Sequence, residues 1–477
     1  MMLDFPAPSE ELLFKLKNLV GPSGWQSGQE IARYFEDPRQ SFTGQGRLVL
    51  KPSSTQQVCE IVKLCNEYLA GIIPYGGGTG VVAGQLSTQS DNAIILSLEK
   101  MNKVRSMSIA ESTMVAEAGC ILENVHNAAA EHGLCYPLSM ASKGSCSIGG
   151  NLATNAGGIQ VLRYGNARDL CLGIEAVLPN GDILSELSPL RKNNTGFDMR
   201  HLLIGSEGTL GIITAASLVL KPIDPEAVTV LCALESPALA LQLYNALKVS
   251  LGDSISGLEL MSRFGITLVA DHFETLRNPF EKAHPWYLLV EVTGHVGIRE
   301  RAEEALAACM DNALLLDAVI AETEAQRKAL WDLREYTPEA NSANGAFCNS
   351  DTSVPISQVD AFIAATTKAI AQIGPDLRIN SYGHIGDGNI HHNVFGAPGV
   401  SKAEFVSAHP DKVEAVRMAI NETTDSFGGS ISAEHGIGRL KTHDLEIYVS
   451  SAKRDAMKRI KMALDPNNIM NPGALIR

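Results

Sequence analysis

Residues Tyr75–Gly84 read YGGGTGVVAG, and Ser87–Asn92 (STQSDN) follow within a few positions. Gly78-x-Gly80-x-x-Ala83 satisfies the spacing of a dinucleotide fingerprint. A Rossmann fingerprint must open a helix docked on a parallel sheet. Here polar turn residues and then a strand-like run, Ala93–Leu98, leave no room for one. The alternative is a bare loop whose successive backbone N–H groups form a nest around a pyrophosphate. Glycine suits that role because the backbone must approach the phosphates closely and some positions need positive φ. A merely flexible turn would read the same way for this loop alone.

A second stretch, Gly144–Leu162 (GSCSIGGNLATNAGGIQVL), carries no charged side chain. Small polar groups and exposed amides without formal charge suit a large planar heterocycle with carbonyl and N–H edges. Gly205–Ile213 (GSEGTLGII) repeats this chemistry ahead of a strand. Three such segments in one domain, without Walker A spacing, favour a cofactor cradle over a nicotinamide-binding Rossmann domain.

Around these loops the pattern is one of short strands and helices. A helix is expected over residues 9–20, a strand at Leu48–Leu50, and a helix opened by Ser54–Thr55. Strands follow at Gly71–Pro74, Thr113–Glu117 and Gly173–Leu178, the last joined through Asn180–Gly181 to Ile183–Ser185. A boundary falls at Pro222–Pro225. From Val228 to Asp425, β-rich runs (VTVLCAL, WYLLVEVTG) alternate with helices such as Glu300–Asp311 and Asp360–Gln372, which implies an antiparallel α+β domain. The reading is thus of residues 1–40 as a helical extension, 41–223 as a cofactor domain, 224–425 as a substrate domain and 426–477 as a C-terminal segment.

The 477 residues are enough for two or three domains with ample core, and 5% aromatics with a high glycine content suit an α/β or α+β protein. A net charge of −14 argues against nucleic acid or anionic lipid as the main partner. Nine cysteines, without any C-x-x-C, read as reduced thiols in a cytoplasmic protein. No run approaches the length of a membrane span, and the acidic start resembles neither a signal nor a transit peptide.

Tyr382–Asn393 (YGHIGDGNIHHN) holds turn chemistry between short apolar runs, which predicts a hairpin centred on Asp387–Gly388. In that register His384 lies directly opposite His391, with Cβ atoms about 4.5–5.5 Å apart. Two imidazoles at that distance can hold one divalent cation. Asn393 shares their face, and His392 points away. Glu434 and His435, on the glycine-flanked loop Ala433–Arg439 (AEHGIGR), could add a carboxylate ligand and a free base. A solvated hairpin with idle histidines is the competing reading.

The runs PLSMASKGSCSIGGNLATNAGGIQVLRYG, RKNNTGFDMRHLLIGSEGTLGIIT, YGHIGDGNIHHN, AEHGIGR and LDPNNIMNPG together resemble the FAD-linked D-2-hydroxy acid dehydrogenases of the vanillyl-alcohol-oxidase superfamily. The resemblance extends from about Asp37 to the C-terminus. It implies an FAD-binding domain of two α+β subdomains (PCMH type), an α+β substrate domain with an antiparallel sheet, and a C-terminal segment covering the flavin. It places the pyrophosphate on Gly76, Gly77, Gly78, Thr79 and Gly80. It places the flavin among Ser139, Gly144, Ser145, Gly149, Gly150, Asn151, Thr154, Asn155 and Gly158, with Ile213 and Asn471 adding contacts. No histidine stands in Tyr75–Gly84, so non-covalent FAD is expected. His384, His391 and Glu434 match the family's divalent-metal ligands (zinc or manganese), His435 its catalytic base, and Arg334 and Asn393 its substrate-binding groups.

The resemblance also implies the reaction: oxidation of a D-2-hydroxy acid to the 2-oxo acid, with hydride to flavin N5. Asn349 stands where D-2-hydroxyglutarate-specific members tend to carry lysine, which favours a D-lactate-like acid over D-2-hydroxyglutarate or glycolate. An electron-acceptor protein or a quinone is the expected partner, and a homodimer the default assembly. A non-catalytic flavoprotein or assembly subunit is the alternative of another class.

Overall fold

The computed structural model describes residues 7–39, 42–87 and 93–476. It divides into two compact units: Met1–Gly158 with Gly165–Ile223 and Glu434–Arg477, and Ile159–Tyr164 with Asp224–Ala433.

Among the described residues the first unit holds two larger sheets and a two-stranded one, Lys221–Pro222 with Leu134–Cys135. In the four-stranded one, Leu48–Leu50, Ala93–Ser97 and Gly71–Tyr75 run parallel, with Trp25–Gln26 antiparallel at one edge. These strands read as continuous apolar runs because both faces are covered. Leu48, Leu50, Ile72 and Ile94 pack under the helices Glu10–Val20 and Thr55–Glu67, while Val49, Ile73 and Ile95 pack against Ile31 and Tyr34. The second sheet is wholly antiparallel, in the order Val104–Ser108, Thr113–Glu117, Ile212–Val219, Cys171–Val177, Ile183–Ser185. No helix follows the Gly76–Gly84 loop through residue 87, so the Rossmann alternative is excluded. The rest of the expected polar turn, residues 88–92, lies outside the described residues.

The boundaries differ from the expected ones in three places, the first being that Ile159–Tyr164, expected in the cofactor domain, belongs to the second unit. The N-terminal helix is no separate extension, since Leu12, Leu16 and Val20 belong to the first core. Residues 426–433 stay with the second unit, where the Ser430 and Ser353 backbones form an antiparallel bridge.

The second unit is built on an eight-stranded sheet, all of its pairings antiparallel. Its central strands are Glu226–Leu234, Trp286–Gly294, Ile255–Ser262, Arg378–His384 and Asn389–Phe395. Alternation sorts the side chains. Val230, Leu258, Leu260, Leu288 and Val290 face the helices Pro237–Leu251, Ile298–Asp311 and Val359–Ile373. Leu231, Met261, Tyr287 and Leu289 face Arg263–His272 and Glu324–Glu335. The α+β class with an antiparallel substrate-domain sheet is as expected from the sequence.

The C-terminus of the first unit is tied down by polar contacts. Met470 bridges Ile72 in parallel fashion at the edge of the four-stranded sheet. Lys461 is buried and uses its three donors on Asp465 Oδ2 (2.5 Å), Thr209 O (2.8 Å) and Met470 O (2.7 Å). Asp465 also accepts from the Ile469 and Met470 N–H groups. Lys461→Met would leave Asp465 buried without its cation, at a cost of about 3–5 kcal/mol. A urea midpoint equal to that of the wild type would show that the pair contributes nothing net.

Candidate active site

The hairpin that carries the histidines forms, but two residues out of the expected register. Tyr382 pairs with His391, His384 with Asn389 and Asn380 with Asn393. The turn therefore spans four residues, Ile385–Gly388, rather than two. Ile385 leaves the ladder to bury itself in the apolar core, and Asp387 closes the turn by accepting from the Asn389 N–H (3.1 Å). A shift of two residues preserves which face each side chain occupies. His384 and His391 are thus diagonal neighbours on one face, ring centroids 6.1 Å apart. One ligand atom from each of His384, His391 and Glu434 lies within 4.8 Å of the others. Glu434 is the first residue after Ala433, whose N–H donates to the Asp351 carbonyl.

Both imidazoles are held from behind. His391 Nδ1 lies 3.2 Å from the Ser350 carbonyl, and His384 Nδ1 donates to Glu259 Oε1. Neither partner can donate, so each Nδ1 carries a proton, which leaves Nε2 as the nitrogen that could ligate a cation. His392 faces the other way, fully buried against Phe362, where burial pushes its pKa down to about 3. The solvated hairpin is ruled out, because every residue of Asn389–Phe395 is buried.

Glu259 lies in the middle of Ile255–Ser262, directly opposite His384 and fully buried. Its Oε2 accepts from Arg334 Nε at 2.6 Å. Burial alone would raise its pKa, but the charges of Arg334 and His384 hold it at about 2. Arg334 is 7% exposed, so it is not a helix-surface salt bridge. Its guanidinium lies over the Tyr382 ring, 4.8 Å from the centroid, and Tyr382 Oη accepts from Asn393 Nδ2 at 3.1 Å. Asn349 is exposed and pairs directly with Asn393, on the face that carries His391.

In the first unit the glycine loops pack on one another. A Cβ at Gly77 would overlap the Ser145 carbonyl oxygen, and one at Gly158 the Ser139 carbonyl oxygen. Among the described residues, the backbone N–H groups of residues 77–82 meet no protein acceptor. Such a run of unanswered donors fits an anionic ligand. Ser147 caps the short helix Ile148–Ala153 by accepting from the Gly150 N–H, which places Gly149, Gly150 and Asn151 in its first turn.

Residues 47–185 match the FAD binding domain family, and residues 223–475 match the C-terminal domain of the FAD linked oxidases. D-2-hydroxyglutarate dehydrogenase of Xanthomonas citri pv. viticola is 37% identical over 94% of this chain and 92% of its own. The chain belongs to the FAD-linked D-2-hydroxy acid dehydrogenases. The mitochondrial D-2-hydroxyglutarate dehydrogenase of Bos taurus is 37% identical to this dehydrogenase over 98% of the chain and 84% of its own. The fold is also that of p-cresol methylhydroxylase, with a TM-score of 0.76 at 17% identity over 97% and 96% of the two chains.

Several of the dehydrogenase's sequence-flagged residues have structural tasks. Asn471 is buried, donates to the Gly84 and Glu207 carbonyls, and accepts from Arg439. Thr154 Oγ1 donates to the Gly150 carbonyl, and Asn155 Oδ1 accepts from the Arg168 N–H. Asn151 Nδ2 faces Cys146 Sγ, and Ile213 is buried in its strand. Gly144 is more open, its nearest neighbour being the Glu123 carboxylate. His435 is half-buried on the 434–439 loop. That loop is pinned by Glu207, whose carboxylate accepts from the Ile437 (2.8 Å) and Gly438 (2.6 Å) N–H groups. Glu207, Tyr382 and Glu259 escaped the sequence reading. The available signal was a lone acid inside an otherwise apolar strand (ISGLELMS), which must have a buried partner.

Gly77→Ala should force the first loop off the Ser145 backbone at about 1–3 kcal/mol, or roughly 5- to 150-fold in FAD affinity. The check is flavin absorbance of the purified variant against its protein content. Wild-type flavin content would show that the loop tolerates the displacement.

Proposed function

We propose that this dehydrogenase oxidises a D-2-hydroxy acid with the help of one divalent cation held by His384, His391 and Glu434. What supports the reading is that both histidines are anchored at Nδ1 and that one ligand atom from each of the three residues lies within 4.8 Å of the others. A His₂–carboxylate set suits zinc or manganese. When bound, FAD accepts the C2 hydride and the cation polarises the hydroxyl oxygen. The protein's own groups do the rest. Arg334 takes the substrate carboxylate, its guanidinium plane held by Glu259 and Tyr382. Asn393 offers its amide on the same face. His435 takes the hydroxyl proton, as a neutral imidazole does well near pH 7. FAD is held non-covalently on the glycine loops, and the C-terminal segment covers it. Reduced enzyme then passes its electrons to an acceptor protein or a quinone.

For the substrate we place D-2-hydroxyglutarate ahead of D-lactate, because both relatives described above are named for that acid. Asn349 supports the second reading, a monocarboxylic acid, since it sets an uncharged amide beside Asn393. Among the described residues no helix is long and apolar enough to cross a membrane.

Anaerobic addition of D-2-hydroxyglutarate should bleach the flavin faster than D-lactate, and the L-acids should not bleach it at all. Faster bleaching by D-lactate would reverse the order of substrates. His435→Ala should lower turnover by about 10²- to 10⁴-fold while leaving the flavin spectrum intact. Normal turnover in that variant would remove the proposed base. Glu434→Gln should reduce the zinc or manganese retained on purification, measured by elemental analysis, and full retention would count against the ligand set.

A further inference from the structure

We infer that Glu259 is a positioning residue that joins the cation site to the substrate-binding arginine, an inference that rests on the metal reading above. Its two carboxylate oxygens are divided between two functional side chains. Oε1 accepts from His384 Nδ1, and Oε2 accepts from Arg334 Nε at 2.6 Å. All three residues are buried: Glu259 at 0%, Arg334 at 7% and His384 at 8% exposure. Glu259 holds the imidazole in the tautomer and orientation that present Nε2 to the cation. The same carboxylate fixes the rotation of the guanidinium about its Nε–H, and so the direction of its terminal N–H groups.

A second buried acid on the same sheet face shows that this arrangement exceeds what helix docking needs. Glu291 accepts from Trp331 Nε1 (2.6 Å), Arg327 Nη2 (3.1 Å) and Thr229 Oγ1 (3.0 Å). Arg327, Trp331 and Arg334 lie along one side of the helix Glu324–Glu335, so Glu291 already anchors that helix to the sheet. Glu291 pairs with an arginine and a tryptophan and with no histidine. Glu259 differs from it in reaching a ligand residue, which assigns it to the site.

The test uses flavin-loaded protein stripped of metal by a chelator and titrated with zinc against a chromophoric competitor. Glu259→Gln should bind zinc about 10- to 100-fold more weakly than wild type. Glu291→Gln, which removes the other buried acid of this sheet face, should keep wild-type zinc affinity while losing stability in urea. Arg334→Met should also keep zinc affinity but raise KM for the hydroxy acid, whereas Glu259→Gln should show both defects. If Glu259→Gln does not fold, Glu259→Asp replaces it. That variant keeps the charge beside Arg334 but is one methylene too short to span both partners. Zinc affinity in either Glu259 variant equal to wild type would overturn the proposal, as would an equal loss in Glu291→Gln. A wild-type protein that binds no zinc or manganese at all would also overturn it. That outcome is recognisable as failure of the metal reading, because every variant would then behave alike.

Discussion

A carboxylate sealed inside an antiparallel sheet must have both of its oxygens answered, and in this protein the answer organises one face of the second unit's sheet. Glu259 has no access to water, so its charge persists only because Arg334 and His384 converge on it from a helix and a neighbouring strand. That requirement holds the Arg334 guanidinium where it lies over Tyr382. It also fixes the orientation of the His384 ring, on the sheet face that carries His391. An apolar residue at position 259 would pack as well and would leave both functional side chains unoriented.

The first unit solves a different problem by similar means. Loops rich in glycine have little side-chain surface with which to hold one another. Close backbone contact, such as Gly77 on Ser145 and Gly158 on Ser139, supplies part of the cohesion. Three buried polar side chains supply the rest. Glu207, Arg439 and Asn471 exchange hydrogen bonds with the backbone of the 82–84, 436–439 and 471–472 segments. Each removes a buried donor or acceptor that would otherwise cost about 1–3 kcal/mol. Residues flagged in the sequence as cofactor contacts thus include some, Asn471 first among them, whose side chains serve the loops themselves.

Much of the fold was legible because it depends on local patterning. Apolar runs such as LVL and AIILS announced strands, and WYLLVEVTG announced part of an antiparallel sheet. The absence of a helix after YGGGTGVVAG was enough to reject a Rossmann domain. The face shared by His384, His391 and Asn393 was also legible, since parity along a strand survives a slip of two residues. The register itself was not. Asp387–Gly388 was read as the centre of the turn, but burial of Ile385 in the core lengthened it to four residues.

By itself, the sequence determined the α+β class, the glycine loops and the family, because these rest on periodicity, residue type and motifs contiguous in the chain. Only the tertiary structure decided which buried acid answers which base. Glu259, Arg334 and His384 are separated by 75 and 125 residues of chain. No local pattern links them. Pairing among buried charges is set by where the sheet and helix packing place them, and by the desolvation cost of leaving any one unanswered.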